Sequence, residues 1–539
     1  MRHRSSVLLI ATIVLASAKF SPARAASATC ASLADIKLPH TTITLAQEVG
    51  PGAFQPPRPQ FKDLPAFCRV AGTVKPTADS DIKFEVWMPI SGWNGKFDGA
   101  GNGGFAGSIQ YEQLATAVRA GFAAASTDTG HTGSGTDGSW ALGHPQKVID
   151  FGYRGIHEMT VEAKVIVQRF YGVAPRRSYF ASCSNGGRQA LMEAQRFPDD
   201  YDGIIAGAPA NFWTHLLTAA VWNAQATLEN PASYIPASKL PAISAAVLAA
   251  CDAKDGVTDG ILNDPRRCHF NPATLLCRGA DSNSCLTAPE VTALEKIYRG
   301  PRSSMGGQIF PGFEPGGELG SNGWGPWITG SAPEKSLLFV FGTQFFSNMV
   351  FNNRAWDYRA LNFDSDVQLT DRKLARILNA TDPNLRAFKA RGGKLIMFHG
   401  WNDSAITPVN TVNYYKSVVA RMGLRQTRDF LRLYMAPGVQ HCALGPGPSS
   451  FGASVEGAKL DPQHSMFSAL ERWVESDIAP NEIIATKYRN PLDPASGAVM
   501  TRPLCPYPEI ARYKGMGDPN DARNFACAFE AAQSTAASP

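Results

Sequence analysis

Patterns typical of strands and of helices alternate along the chain from about residue 83 to residue 210. Short apolar runs favour strands, whereas apolar residues three or four positions apart favour helices. We predict strands at residues 84–88, 121–126, 177–181 and 204–206, and helices at residues 158–171 and 187–197. Such alternation is typical of a mostly parallel sheet with helices on both faces.

The pattern breaks down between about residues 211 and 380 and then returns. Beyond the break we predict strands at residues 394–398 and 431–435, and helices at residues 412–422 and 465–476. A chain of 539 residues is long enough for a large domain with an insertion. We therefore predict an α/β catalytic domain from residues 26–210 and 381–539, with residues 211–380 inserted as a lid domain.

The first 25 residues have the features of an export signal. Arg2 and Arg4 precede an apolar run at residues 7–18, and Ala23-Arg24-Ala25 supplies the small residues of a cleavage site. We predict cleavage after Ala25 and a secreted or periplasmic protein, with an uncleaved anchor as the alternative. No later stretch approaches the roughly 20 apolar residues that a membrane helix needs, so we expect no membrane partner.

The charge of the chain argues against nucleic acid as a partner. The formal net charge is +5, and removing the four positive charges of the leader leaves the mature chain at about +1. Basic residues are scattered along the sequence, whereas a surface that binds nucleic acid needs a concentrated positive patch. The sequence does not indicate the oligomeric state.

The ten cysteines are expected to form disulfides, because an exported protein meets an oxidising environment. None occurs in a Cys-x-x-Cys pair, which argues against a zinc ribbon or a redox motif. Sequence alone does not fix the pairing. Close spacing suggests three pairs: Cys251–Cys268, Cys277–Cys285 and Cys505–Cys527.

A candidate nucleophile elbow lies at Ser182-Cys183-Ser184-Asn185-Gly186-Gly187, after a predicted strand and at the start of a predicted helix. Residues beside such a serine must be small, because the turn is strained and the helix packs closely on the strand. The usual pattern is Gly-x-Ser-x-Gly, and Ser182 replaces the first glycine. An ordinary strand-to-helix turn is the alternative for this segment taken alone.

Two further loops supply the partners that a nucleophilic serine requires. Asp403 follows the strand predicted at residues 394–398, and His441 follows the strand predicted at residues 431–435. The serine needs a base to take its proton, and the imidazole needs an acid to orient it. The chain order Ser184, Asp403, His441 is the order of an α/β hydrolase.

Two cysteines stand directly beside the predicted nucleophile and base. Cys183 precedes Ser184, and Cys442 follows His441. A disulfide between them would hold their Cα atoms about 4.4–6.8 Å apart. This bond would keep the serine and the histidine within reach of each other despite their separation in sequence.

The Cys-Ser, Asp and His-Cys motifs together resemble the tannase and feruloyl esterase family, which also contains mono(2-hydroxyethyl) terephthalate hydrolase. The resemblance covers nearly the whole mature chain. It implies that Ser184, Asp403 and His441 form a catalytic triad in an α/β-hydrolase fold with a large lid insertion. It also implies five disulfides: Cys183–Cys442, Cys30–Cys68, Cys251–Cys268, Cys277–Cys285 and Cys505–Cys527.

An oxyanion hole requires two backbone N–H groups directed at the developing negative charge. One is expected from Asn185, the residue after the nucleophile. We assign the other to Gly103, within the glycine-rich segment 101–104, because glycine allows the backbone to approach the substrate closely. A glycine-rich loop alone is a common feature, and the family resemblance supports this assignment.

The segment from Cys251 to Ile261 is a candidate calcium loop. Its carboxylates are spaced by three and four residues and alternate with Asp-Gly turns, and calcium takes six to eight oxygen ligands in irregular loops. A solvated turn is the alternative from spacing alone. The family resemblance implies a structural Ca²⁺ bound by the carboxylates of Asp252, Asp255 and Asp259 and the carbonyl oxygens of Val257 and Ile261.

We expect a secreted serine carboxylic-ester hydrolase that acts on small esters of aromatic acids, of the feruloyl or galloyl type. Activity like that of mono(2-hydroxyethyl) terephthalate hydrolase, a serine carboxypeptidase, and a catalytically silent binding protein on a hydrolase scaffold are the alternatives. Five aromatic residues of the lid are candidates for the pocket wall, although each could equally be core: Trp324, Trp327, Phe341, Phe345 and Phe346.

Overall fold

The computed structural model describes residues 28–54, 61–491 and 493–529. The predicted leader, residues 1–25, lies outside them. Within the described residues, nine strands form one sheet: β1 Thr41–Val49, β2 Phe67–Val74, β3 Ile82–Pro89, β4 Lys96–Ala100, β5 Ala123–Thr127, β6 Arg177–Cys183, β7 Gly203–Gly207, β8 Lys394–Gly400 and β9 Leu431–Ala436. Two hairpins follow: β10 Ile483–Asn490 with β11 Asp493–Leu504, and β12 Glu509–Tyr513 with β13 Phe525–Phe529.

The strand order of the large sheet is β1-β2-β3-β5-β4-β6-β7-β8-β9. Neighbouring strands pair antiparallel from β1 to β5 and parallel from β5 to β9. The parallel strands all end at one edge of the sheet, so the residues that follow β6, β8 and β9 are brought to the same edge. This mixed sheet with covering helices is the α/β-hydrolase fold that the sequence predicts.

Every strand predicted from the sequence is present: five lie within β3, β6, β7, β8 and β9, and the strand predicted at residues 121–126 overlaps β5, which begins two residues later. The prediction missed β1, β2, β4 and both hairpins.

The helices of the structure are α1 Tyr111–Arg119, α2 Pro145–Ile149, α3 Gly155–Tyr171, α4 Asn185–Arg196, α5 Trp213–Leu228, α6 Leu240–Cys251, α7 Ala288–Arg299, α8 Leu337–Phe345, α9 Ser365–Thr370, α10 Arg376–Leu378, α11 Arg386–Ala390, α12 Pro408–Met422, α13 Leu424–Arg428 and α14 Met466–Ser476.

Two apolar cores lie on the two faces of the sheet. Buried residues of α3, α4 and α12 pack in one core, and those of α1 and α14 pack in the other. In α14 the apolar residues Phe467, Leu470 and Trp473 recur every three residues and share the buried face. The side chain of Ser465 accepts a hydrogen bond from the N–H of Ser468 and caps the start of this helix.

The segment between β7 and β8 holds α5 to α11, and its first part comprises residues 211–380, which the sequence analysis predicts as a lid insertion. Two apolar cores lie in this part: one holds Trp213 and Phe345 together with Phe105 and Phe151 from outside the insertion, and the other surrounds Trp324 and Leu294. At its base the N–H of Ala380 donates to the carbonyl oxygen of Asn211 over 2.8 Å. The two ends of the insertion therefore meet beside the sheet.

One stretch of the described residues, Pro231–Asp255, is long and apolar enough to cross a membrane by length and composition alone, with a mean hydropathy of 1.3. This finding corrects the expectation that no later stretch approaches that length. In the structure the stretch is divided between short helical turns and the 12 residues of α6, inside the lid.

The structure contains the five disulfides that the family resemblance implies: Cys30–Cys68, Cys183–Cys442, Cys251–Cys268, Cys277–Cys285 and Cys505–Cys527. Their Cα atoms lie 5.0–5.9 Å apart, within the ordinary range for disulfides.

Substitution of Gly187 tests the close packing of α4 on β7. A Cβ atom at this position would overlap the carbonyl oxygen of Gly207 and lie 2.9 Å from Cα of Pro209. Because backbone atoms cannot move aside as a flexible side chain can, we expect Gly187→Ala to lower the free energy of unfolding by about 1–3 kcal/mol in denaturant titrations. Gly325→Ala is the matched control, since its Cβ would meet nothing within 4 Å. Equal stability of the two variants would contradict this account.

Candidate active site

Ser184 lies in a strained turn between β6 and α4. Its φ of 66° and ψ of −125° are unfavourable for a residue with a side chain. The turn is held by a hydrogen bond of 3.0 Å from the N–H of Ser184 to the carbonyl oxygen of Gly207. The side chain of Ser184 is half-buried. These are the features of a nucleophile elbow, which presents a serine hydroxyl at the end of a sheet.

Asp403 follows β8 and is buried, with 3% of its surface exposed. Its Oδ1 accepts hydrogen bonds from the backbone N–H groups of Ala405 and Ile406, at 2.8 and 2.9 Å. Its Oδ2 accepts a hydrogen bond of 2.8 Å from Nδ1 of His441. The carboxylate is therefore fixed by its own loop and faces the histidine.

His441 follows β9 and is 8% exposed. Because a carboxylate only accepts hydrogen bonds, Nδ1 of His441 carries the proton that it shares with Asp403, and Nε2 of the neutral ring is left to accept another. The disulfide between Cys183 and Cys442 holds the residues next to Ser184 and His441 together, with their Cα atoms 5.9 Å apart. The three predicted residues thus meet at one edge of the sheet.

A second histidine, His399, which the sequence analysis missed, also binds Asp403. It is fully buried, and its Nε2 lies 3.0 Å from Oδ2 of Asp403 and 3.0 Å from the carbonyl oxygen of Ile406. Both of these oxygens accept, so Nε2 carries a proton. The hydroxyl of Thr411 lies 2.7 Å from Nδ1 and can donate to it in the neutral ring. The sequence gives no sign of this contact, because it forms only when the loop after β8 is folded.

The two histidines determine the charge of Asp403. Burial raises its pKa, but the charges and hydrogen bonds of His441 and His399 outweigh burial and hold the pKa well below its usual range. A carboxyl whose pKa is lowered by folding stabilises the fold above its unfolded pKa, and this contribution is lost as the pH falls towards the lowered value. Asp403 is therefore ionised throughout the neutral range.

The two predicted oxyanion-hole residues lie beside the elbow. Asn185 begins α4, where the first backbone N–H groups of a helix have no partner within the helix. Gly103 is exposed, and a Cβ there would meet nothing within 4 Å, so its backbone borders open space. The neighbouring Asn102 is fixed, because its N–H donates to Oε1 of Gln189 over 2.9 Å.

Two of the five predicted pocket aromatics lie at the site. The ring of Trp327 packs edge-on against His441, with ring centroids 5.0 Å apart, and the ring of Phe341 lies near Trp327 and Gly104. The other three predicted residues are in the lid cores and have essentially no exposed surface: Trp324, Phe345 and Phe346. Enclosed in this way, these three side chains offer no exposed surface to a substrate in this structure.

A segment of the lid, residues 312–324, is bonded to both loops that carry the site, and we call it the lid strap. The side chain of Asn322 donates to the carbonyl oxygen of His441 over 2.7 Å, and Nε1 of Trp327 donates to Asn322 over 2.7 Å. The hydroxyls of Ser404 and Thr407 donate to carbonyl oxygens of the lid strap, at 2.9 and 2.7 Å. The lid thus contacts the loops of both His441 and Asp403.

The candidate calcium loop folds around its carboxylates. Asp252 accepts from the N–H of Gly260 at 3.0 Å, and Asp255 accepts from the N–H of Asn263 at 2.9 Å. Burial raises the pKa of Asp255 to about 6, and the nearby acids Asp259 and Asp252 add to the shift. Three carboxylates within one short loop, one of them partly desolvated, supply the oxygen ligands that a hard cation takes.

A positively charged side chain from β11 also contacts this loop. Nη2 of Arg502, a buried residue of β11, lies 2.8 Å from Oδ2 of Asp259. The hairpin of β10 and β11 therefore places a positive charge against one carboxylate of the loop. Val257 and Ile261, the predicted carbonyl ligands, are buried in the same region.

Comparisons with known proteins identify the family of the chain. The family model for tannase and feruloyl esterase matches residues 68–528. The chain is 46% identical to an uncharacterized esterase of Xanthomonas campestris pv. campestris, over 93% of this chain and 91% of the relative. It is 34% identical to the mono(2-hydroxyethyl) terephthalate hydrolase of Piscinibacter sakaiensis, over 86% and 85%.

A solved structure gives the same result. The crystal structure of feruloyl esterase B from Aspergillus oryzae superposes with a TM-score of 0.85 at 29% identity, over 93% of this chain and 99% of that one. The family match covers most of the chain, and the relatives that match over most of their length are esterases. The chain therefore belongs to the tannase and feruloyl esterase family and is a carboxylic ester hydrolase with the α/β-hydrolase fold.

Proposed function

We propose that the chain is a serine esterase in which Ser184 is the nucleophile, His441 the general base and Asp403 the residue that orients the base. The observation that carries this proposal is the hydrogen bond of 2.8 Å from Nδ1 of His441 to Asp403. It leaves Nε2 free in a loop that a disulfide holds beside the strained serine. This arrangement argues against a catalytically silent scaffold.

The reaction proceeds in two halves. The Oγ of Ser184 attacks the ester carbonyl carbon while Nε2 of His441 takes its proton, and the negative charge on the carbonyl oxygen is met by the N–H groups of Asn185 and Gly103. The intermediate collapses, and the alcohol leaves with the proton from His441. Water, deprotonated by His441, then attacks the acyl-serine, and the carboxylic acid is released.

We propose esters of aromatic acids as the substrates. Trp327 and Phe341 supply apolar ring surface beside His441, which suits a planar acyl group. Relatives named feruloyl esterases support a feruloyl or galloyl ester. The relative named mono(2-hydroxyethyl) terephthalate hydrolase supports a terephthaloyl ester as the second candidate.

We also propose that the protein acts outside the cytoplasm, as a secreted or periplasmic enzyme. The five disulfides support this location, because such bonds persist in oxidising compartments. The leader predicted from the sequence supports it too.

We further propose that the loop from Asp252 to Ile261 binds a structural Ca²⁺ through Asp252, Asp255 and Asp259 and the carbonyl oxygens of Val257 and Ile261. The donor set of carboxylate and carbonyl oxygens supports this proposal. A bound divalent cation would offset the mutual repulsion of the acids. Its role would be to hold the loop against the C-terminal hairpins. Arg502, in the first of these hairpins, already contacts Asp259 of the loop.

Replacement of the nucleophile tests the mechanism. We expect Ser184→Ala to lower kcat at least about 10⁴-fold on methyl ferulate, methyl gallate and mono(2-hydroxyethyl) terephthalate, with an unchanged melting temperature. Ser182→Ala, two residues earlier near the end of β6, is the matched control and should keep most of the activity. Fluorophosphonate labelling followed by mass spectrometry should modify Ser184. Substantial turnover by Ser184→Ala would refute the assignment, and the rate of the parent enzyme on the three esters ranks the candidate substrates.

Substitution of His399 tests whether the second histidine positions Asp403. His399→Phe keeps the ring size but removes the N–H to Asp403, so we expect kcat to fall roughly 10–100-fold with little change in KM. His399→Gln retains a donor and should recover part of this loss. Thr411→Val, which removes only the contact to Nδ1, should have the smaller effect. A lower melting temperature with unchanged kcat in His399→Phe would mean that the role is purely structural.

Chelation tests the calcium proposal. Metal that binds only the folded state adds about 2.7 kcal/mol of stability at a concentration of 100 Kd. Removing Ca²⁺ should therefore lower the melting temperature of the parent enzyme by several degrees, and adding Ca²⁺ back should restore it. Asp255→Asn should not respond to Ca²⁺, while its kcat stays close to that of the parent. Elemental analysis without calcium, together with parental stability of Asp255→Asn, would exclude the site.

A further inference from the structure

A buried cluster of side chains lies at the end of α4 that is far from the elbow. It consists of His157 on α3, Glu193 on α4 and Asp200 in the turn before β7. One ligand atom from each of the three lies within 4.8 Å of the others. Glu193 is nine residues beyond Ser184, so the cluster is roughly 13 Å along the helix from the nucleophile.

The buried carboxylate of Glu193 makes no hydrogen bond with the described part of the chain. Glu193 is 1% exposed, and among the described residues neither of its oxygens has a hydrogen-bond partner. Its neighbour Asp200 is 7% exposed and cannot donate a hydrogen bond when ionised. A buried, unpaired carboxylate is costly, and a second acid beside it increases the cost.

Nearby donors are engaged elsewhere. The ammonium of Lys164 donates to the carbonyl oxygen of Asp200 and lies 5.5 Å from the ring centre of Tyr201. The hydroxyl of Tyr201 is paired with the hydroxyl of Thr160 at 2.5 Å. A shared proton or a metal ion between the two acids would remove their mutual repulsion.

We propose that His157, Glu193 and Asp200 bind a divalent transition-metal ion of the Zn²⁺ type. An imidazole nitrogen combined with carboxylate oxygens suits zinc, whereas calcium prefers oxygen ligands alone. Nδ1 of His157 and Oδ2 of Asp200 now share a hydrogen bond of 2.6 Å, and the ion would replace that proton with both atoms slightly farther apart.

The surroundings of His157 suit such a site. The ring stacks on Phe197 with centroids 3.8 Å apart and planes 9° apart, which fixes the direction of Nδ1. The side chain of His157 is 30% exposed, so an ion can enter from solvent. The bound ion would join α3, α4 and the turn before β7, far from the reacting atoms, and would stabilise the fold rather than take part in ester hydrolysis.

Zinc titration of the chelator-treated mature protein, with Ca²⁺ present throughout, tests the proposal. We expect calorimetry to show one Zn²⁺ per chain, the melting temperature to rise by several degrees, and kcat to remain unchanged. Co²⁺ in place of Zn²⁺ should give visible absorption bands of a four- or five-coordinate site.

Two variants and one control complete the experiment. Glu193→Gln keeps the size of the side chain but removes a ligand charge, and His157→Gln removes the imidazole at the more exposed edge of the site. Both should lose the zinc-dependent rise in melting temperature, whereas Asp255→Asn in the calcium loop should keep it. Zinc binding that persists in both variants would overturn the proposal. Absence of stoichiometric zinc binding by the parent would also overturn it, and would leave a proton shared by Glu193 and Asp200 as the explanation.

Discussion

The disulfide between Cys183 and Cys442 is the bond on which the geometry of the site depends. It joins the end of β6 to the loop after β9, and these strands are separated in the sheet by β7 and β8. Three strand spacings of about 4.8 Å amount to roughly 14 Å, so the loop after β9 must run back across the ends of two strands. The path needs Gly400, where a Cβ would overlap the carbonyl oxygen of Val439.

The residues expected to form the site could be predicted because each stands next to a strongly patterned strand. The central residues of β6, β8 and β9 are buried, and residues 395–398 of β8 form an unbroken apolar run. Three loops after such strands must share an edge once the sheet is parallel. Strand β1 was missed for the opposite reason, since it is an edge strand whose residues are mostly exposed or half-buried and carry little pattern.

Packing within the lid could not be predicted from composition. Trp324 and Trp327 are three residues apart, yet Trp324 packs against Tyr298 in the lid core and Trp327 faces His441. Trp324 immediately precedes a π-helical turn at Gly325–Thr329, and Trp327 lies within it, so the usual helical spacing does not apply to this pair. His399 was missed because a histidine at the end of an apolar strand shows its partners only once the loop after the strand is folded.

The lid strap limits how this molecule can open. A hinged lid can move away freely only if it makes no bonds to the catalytic loops. Here Asn322 donates a hydrogen bond to the backbone of His441. Residues 312 and 317 accept hydrogen bonds from Thr407 and Ser404. Displacing the strap would break these bonds, although Asp403 and the disulfide would still hold the histidine. We therefore expect a substrate to reach Ser184 while the strap stays docked on both loops.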